Sequence, residues 1–430
     1  MDKENLKILI VSNNCLSSTN SNGRTILNLV SNLKNEQVAN FYLKEEIPDC
    51  DNFTNFYRVS DQDALRAFKS FKKIEVGNKI SPQFQNIEVG QNSSKVSNSN
   101  FKNPLGSLAR EMVWNSKRWI SSEFVNWIKD FSPNVILLQA GDAPFLFKLA
   151  RRIARKMKIP LIIHNCEDYG FKKFNYMSKK HNWLYPFFHH RLARQMKKAI
   201  KYSDHCIYNS KELLDLYQTE IKHSASVIMN AGAFDISEGK KPEKFERVVY
   251  LGNLGLGREK SILEVGQVLS QYGLELWIYG PFDSKINEIL KDAPGVKYKE
   301  MVSYERVKEI ILSSDLLIHI ESFEEYALKD LKYALSSKIG DYLSSGVPFF
   351  VYSPIGMTST NYLLEFIPDF VATCKVEALF KLKEILTGEI KYPYEEKVRP
   401  VVVAHHLLKN NQEVFDNLLL TSIKGELNGK

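Results

Sequence analysis

Long apolar runs are missing from this chain of 430 residues. No stretch of about 18 consecutive apolar residues occurs, which excludes a membrane-spanning helix. Cysteine is scarce: Cys15, Cys50, Cys166, Cys206 and Cys374 are odd in number, scattered, and form no Cys-x-x-Cys pair. A disulfide framework and a thiolate metal site are thereby disfavoured, and a reducing compartment fits. The residues before the apolar strand Ile8–Val11 leave no room for a secretory leader, so a cytoplasmic protein is expected. The first strand–loop–helix lacks G-x-G-x-x-G, and no recognisable nucleic-acid module occurs.

What is present suits a globular α/β protein: 44% hydrophobic and 12% aromatic residues on a chain too long for one core. Strand and helix patterns alternate to about residue 236, pause over a Gly-Lys-Lys-Pro segment at 239–242, and restart at Arg247. We therefore expect an N-terminal domain over 1–238, a second over 245–398, and a terminal helix and tail over 399–430. Within the first, the Asn-, Ser- and Lys-rich stretch 74–107 reads as a long loop or partly disordered insertion. Residues 108–130 read as one amphipathic helix bearing Trp114, Trp119 and Trp127. Two successive α/β halves predict two Rossmann-like domains facing across a cleft.

Three constellations could carry chemistry. In Leu251-Gly252-Asn253-Leu254-Gly255-Leu256-Gly257-Arg258-Glu259-Lys260, a strand end, three glycines and two cations at a helix start suit a phosphate group. An ordinary Gly-rich turn would have the same composition. In Ser336–Pro348, a serine N-cap leaves N–H groups and Lys338 where a diphosphate could bind, with Asp341 a turn further in. A short capped helix with a surface Asp is the alternative. In Glu321-Ser322-Phe323-Glu324-Glu325-Tyr326, carboxylates follow a predicted strand, as in a ligand crevice or a solvated acidic loop.

Residues 247–356 resemble the donor domain of retaining GT-B glycosyltransferases, in particular glycosyltransferase family 4. The resemblance rests on Tyr250–Lys260, Trp277-Ile278-Tyr279-Gly280, Lys299-Glu300-Met301-Val302-Ser303, Ser314-Asp315 and Ser337–Pro348. The last is similar to a form found in bacterial surface-polysaccharide transferases. It implies that Arg258 and Lys260 offset the charge of a diphosphate leaving group. Gly252, Asn253, Gly280, Met301, Ser337, Lys338 and Ile339 would line the donor, and Asp341 would bind ribose. Glu324 or Glu325 would stand beside the transferred sugar, although more residues separate Glu324 from Asp341 than the family's usual spacing. In the first half, Gly23 and Arg24 would face the donor phosphates and His164 the sugar. The terminal helix would cross back to the N-terminal domain.

The resemblance further implies a UDP-sugar, more readily than a GDP-sugar, as substrate, with no cofactor and no metal. The acceptor would be a glycan or polyprenyl-linked glycan of surface polysaccharide synthesis. Between Lys148 and Lys201 stand fifteen Lys and Arg against two acids, on a chain of net charge +8. With the aromatics of 171–201, this block suits peripheral contact with an anionic membrane at the inner face of the plasma membrane. A solvated helix face over buried aromatics is the plain alternative. A sugar-nucleotide epimerase and a non-catalytic partner subunit are the competing functions; no nucleic-acid partner is expected.

Overall fold

The apolar run Ile8–Val11 (β1) is buried along its whole length, as an inner strand of a parallel sheet must be. The computed structural model describes residues 3–83, 103–172, 182–281 and 284–426. These form two compact units, one of Met1–Met229 with Asn411–Lys430 and one of Asn230–Asn410.

In the first unit, β1 pairs in parallel with Val38–Tyr42 (β2) and Val135–Gln139 (β5). Phe56–Arg58 (β3), Asn78–Ile80 (β4), Leu161–Asn165 (β6), His205–Tyr208 (β7) and Ala225–Val227 (β8) complete the order β4-β3-β2-β1-β5-β6-β7-β8. Among the described residues, only β4 runs antiparallel, on the edge beside β3. Within 74–107, β4 and the start of a helix at Pro104 are therefore regular structure, and 84–102 lie outside the described residues.

The expected single helix over 108–130 is two, Pro104–Asn115 and Ser122–Phe131. Lys117 takes a left-handed conformation, and the Ser121 hydroxyl caps the second helix by accepting from the Phe124 amide at 3.0 Å. The break turns Trp119 into the core, stacked on Phe41, with its indole donating to the Trp114 carbonyl at 2.9 Å. Local periodicity carried no sign of this, because packing set the corner.

The C-terminal helix Leu408–Ile423 returns to the N-terminal core, as expected. Phe415 and Leu419 join Ile8, Ile10, Leu137 and Ile207 there. Asp416 accepts from Lys3 at 2.5 Å and Asn32 at 2.8 Å.

The second unit holds Val248–Leu251 (β9), Leu276–Tyr279 (β10), Val296–Tyr298 (β11), Leu316–Ile320 (β12), Phe349–Tyr352 (β13) and Val371–Ala372 (β14). All pair in parallel, in the order β11-β10-β9-β12-β13-β14. The order reverses between β9 and β12, and ligands of such sheets bind at the carboxyl ends of the strands flanking that reversal. Among the described residues, no helix is long and apolar enough to cross a membrane.

Candidate functional site

The carboxyl end of β9 opens directly into the Gly-rich loop. The Tyr250 hydroxyl donates to the Asn253 carbonyl at 2.8 Å, and the Asn253 side chain accepts from the Gly255 amide at 2.8 Å. Asn253 thus builds the loop. Leu256 and Gly257 are both left-handed, and Gly257 leads into the helix Arg258–Ser270. A Cβ on Gly257 would lie 2.7 Å from Glu324 Cγ and 2.8 Å from Ser322 Oγ. Gly257→Ala is therefore expected to cost about 2 kcal/mol, combining left-handed strain with a displaced loop. A thermal melt followed by circular dichroism would read this as a midpoint lowered by about 4–8 °C.

The helix start and the segment after β12 are held together by two ion pairs. Arg258 donates from Nε at 3.0 Å and Nη2 at 2.6 Å to a single oxygen of Glu321, and from Nη1 to the Gly255 carbonyl at 3.3 Å. Both partners of this pair are buried, with side chains 13% and 8% exposed. The other Glu321 oxygen lies 3.3 Å from Nε2 of the buried His319. Burial alone would raise the Glu321 pKa, but His319 and Arg258 outweigh it and bring the carboxyl down to about 2. The second pair joins Lys260 to Glu324 at the more exposed rim.

Lys338, near the start of the helix Ser337–Ser344, reaches the same place. Its ammonium lies 2.1 Å from where a Gly252 Cβ would stand, so any side chain at 252 displaces it. It also sits 5.7 Å from the centroid of the Tyr250 ring. Burial, and then the Arg258 charge, lower its pKa to about 8, while Glu321 and Asp341 pull the other way. Asp341, one turn on, is buried. Ser337 opens the helix half-buried, and Ile339 is fully buried with its amide donated to the Ser336 carbonyl at 3.1 Å. Gly280 ends β10 against β9: its Cβ would meet the Gly252 carbonyl oxygen at 2.0 Å.

Gly252, Arg258, Lys338 and Asp341 are thus brought together, with Lys260 and Glu324 at the rim, whereas Met301 lies exposed in the loop after β11. Gly23, Arg24 and His164 belong to the other unit. Gly23 and Arg24 lie at the start of the helix Ser21–Val30, where a Gly23 Cβ would meet the Cys15 carbonyl oxygen at 2.3 Å. His164, in β6, is 2% exposed; burial lowers its pKa to about 4, so its ring is neutral, with Cys166 Sγ 3.5 Å from Nδ1. Sequence reasoning grouped Glu321 with an acidic loop and gave the acid's role to Glu324. It passed over His319. The signal for both was position: a buried strand running straight into a carboxylate.

No protein-family model matches the chain, and no curated protein matches it in sequence. Solved structures do match over nearly its whole length. The lipopolysaccharide outer core galactosyltransferase WaaB, in its apo form, is similar at 14% identity with a TM-score of 0.53, covering 98% of this chain and 100% of that one. The UDP-forming α,α-trehalose-phosphate synthase of Burkholderia xenovorans, in complex with glucose-6-phosphate, gives 8% identity, a TM-score of 0.58, and 97% and 100% coverage. The HepE protein of Anabaena in complex with UDP-glucose gives 12%, 0.57, and 97% and 100%. The likeness is one of architecture: this chain has the α/β fold of the GT-B glycosyltransferases.

Proposed function

We propose that the protein is a glycosyltransferase that moves a sugar from a nucleotide-diphosphate donor, a UDP-sugar before a GDP-sugar, to a glycan or polyprenyl-linked glycan of surface polysaccharide synthesis, with retention of configuration. The observation that carries this reading is the Lys338 ammonium against Gly252, beside Arg258 and Asp341, at the strand-order reversal of the second sheet. A diphosphate there meets a cation without a covering side chain. The UDP-glucose complex of HepE, which shares the fold, adds support.

In this reading, the anomeric C–O bond breaks with its electron pair passing to the departing diphosphate. The acceptor hydroxyl oxygen bonds the anomeric carbon, and its proton goes to a phosphate oxygen. Lys338, Arg258 and Lys260 offset the developing charge, which is the work a divalent metal would otherwise do. Asp341 takes the ribose hydroxyls. Glu324 stands beside the sugar, and His164 serves as a neutral hydrogen-bonding group.

The proposed membrane face is the helix Tyr185–Ile200. Arg194, Lys197 and Lys198 are exposed on it, with Lys201 just beyond its end and Trp183 and Phe187 exposed at its start. Among the described residues, the one ion pair on this helix is Arg191 with Glu111. Phe174, Tyr176, Lys173, Lys179 and Lys180, part of the same basic aromatic block, lie outside the described residues.

The test is a panel of UDP- and GDP-sugars incubated with the full chain, with and without lipid extract and anionic vesicles, reading free nucleoside diphosphate. Release that Lys338→Ala abolishes and lipid stimulates is the expected result. Donor interconversion without release would make the protein an epimerase, and binding without turnover on any acceptor a partner subunit.

A further inference from the structure

Resting on the donor-site reading above, we infer that Glu321 is an internal counter-anion: it occupies Arg258 before nucleotide binds, competes with the diphosphate for that cation, and so limits donor and product affinity. Three observations lead there. The first is geometry. Nε and Nη2 of Arg258 converge on one Glu321 oxygen while Nη1 reaches Gly255, which leaves further N–H donors of the guanidinium for a second anion. The second is burial. Both side chains are largely withdrawn from solvent, so the pair is weakly screened and each charge is strongly felt by its neighbours. The third is charge balance. The cations Arg258, Lys260 and Lys338 are matched by Glu321, Glu324 and Asp341, so the residues assigned to an anionic ligand carry no net charge of their own.

That balance has a physical purpose. Arg258 and Lys338 act on each other as like charges, and without Glu321 their proximity would be costly. Glu321 relieves the repulsion while the protein is free. Once sugar has been transferred, it is already in contact with the guanidinium that the departing nucleoside diphosphate must give up. Glu321 is accordingly a positioning residue: it acts on the ligand through Arg258.

A purely architectural ion pair and a counter-anion predict opposite signs. Titration calorimetry with UDP in metal-free buffer, on the full chain, would compare wild type, Glu321→Gln, Arg258→Gln and the double variant. Glu321→Gln is expected to bind UDP about tenfold tighter, even with a lowered melting point, because the competing charge is gone while the hydrogen bond to Arg258 is kept. The double variant is expected to bind no tighter than Arg258→Gln alone, because Glu321 acts on the ligand through that guanidinium. Glu321→Asp, whose shorter side chain holds Arg258 less closely, is expected to bind tighter than wild type and keeps the comparison if Glu321→Gln does not fold. UDP binding by these Glu321 variants that is unchanged or weaker, or a double variant that gains over Arg258→Gln as much as Glu321→Gln gains over wild type, overturns the inference and leaves the donor-site reading intact. A wild-type protein that binds none of UDP, GDP and ADP overturns both.

Discussion

Replacing Lys338 by alanine is expected to weaken UDP binding about 100-fold at pH 7, equivalent to about 3 kcal/mol, as for a lost charge-assisted contact in a partly desolvated site. The neighbourhood explains the size. Lys338 is half-buried, and its ammonium lies against Gly252 at the start of the loop. The same burial makes the interaction pH-dependent. With its pKa lowered to about 8 in the free protein, Lys338 loses its proton within an accessible range, whereas a bound diphosphate favours the charged form. Binding therefore takes up a proton once the pH exceeds about 8. Affinity should be level from pH 7 to 8 and then fall by up to tenfold per pH unit. Calorimetric titration with UDP from pH 6.5 to 9.5, in two buffers of different ionisation enthalpy, would read both the fall and the proton uptake. Lys338→Arg should lack the break, because guanidinium stays charged throughout. A wild-type profile flat to pH 9.5 would remove Lys338 from the ligand.

Arg258→Gln is expected to give the largest loss of stability, about 3–5 kcal/mol at pH 7, because it leaves Glu321 charged and buried without its cationic partner, with the neutral His319 alone beside it. In the wild type the Glu321 carboxyl is lowered from 4.5 to about 2, so its contribution to stability is fully present above pH 4.5 and is lost as the pH falls toward 2. In the variant the pull of Arg258 is gone while that of His319 remains, so burial is offset less and the carboxyl lies higher than in the wild type. The difference between wild type and variant should therefore shrink as the pH falls from about 7 toward about 3, where the variant's carboxyl takes up its proton first. Denaturant unfolding of both proteins across that range would measure it. A difference constant with pH would mean that Glu321 is not the group left exposed by the change.

Much of the architecture was legible in the chain itself, because it is encoded locally. Apolar runs such as Ile8–Val11 and Leu316–Ile320 announce buried parallel strands wherever they stand, and their alternation with helices fixes the class of sheet. The Gly-rich loop after β9 is likewise a local signal of a strand–helix junction, and the serines before Lys338 of a helix start. The split of the Trp-bearing helix was not legible, since Trp119 stacks on Phe41 of β2, which stands far away in the sequence.

The site divides along the same line. Residue types and spacing were sufficient to draw attention to Arg258, Lys338, Asp341 and the acids near 324. Which acid meets which cation was decided by the sheet. Its strand order sets β12 beside β9, and so brings Glu321 to Arg258 from 63 residues away and Glu324 to Lys260 from 64. An ion pair between residues that far apart has no signature in either segment. It exists because two strands that share hydrogen bonds deliver their carboxyl ends, and whatever follows them, to one place.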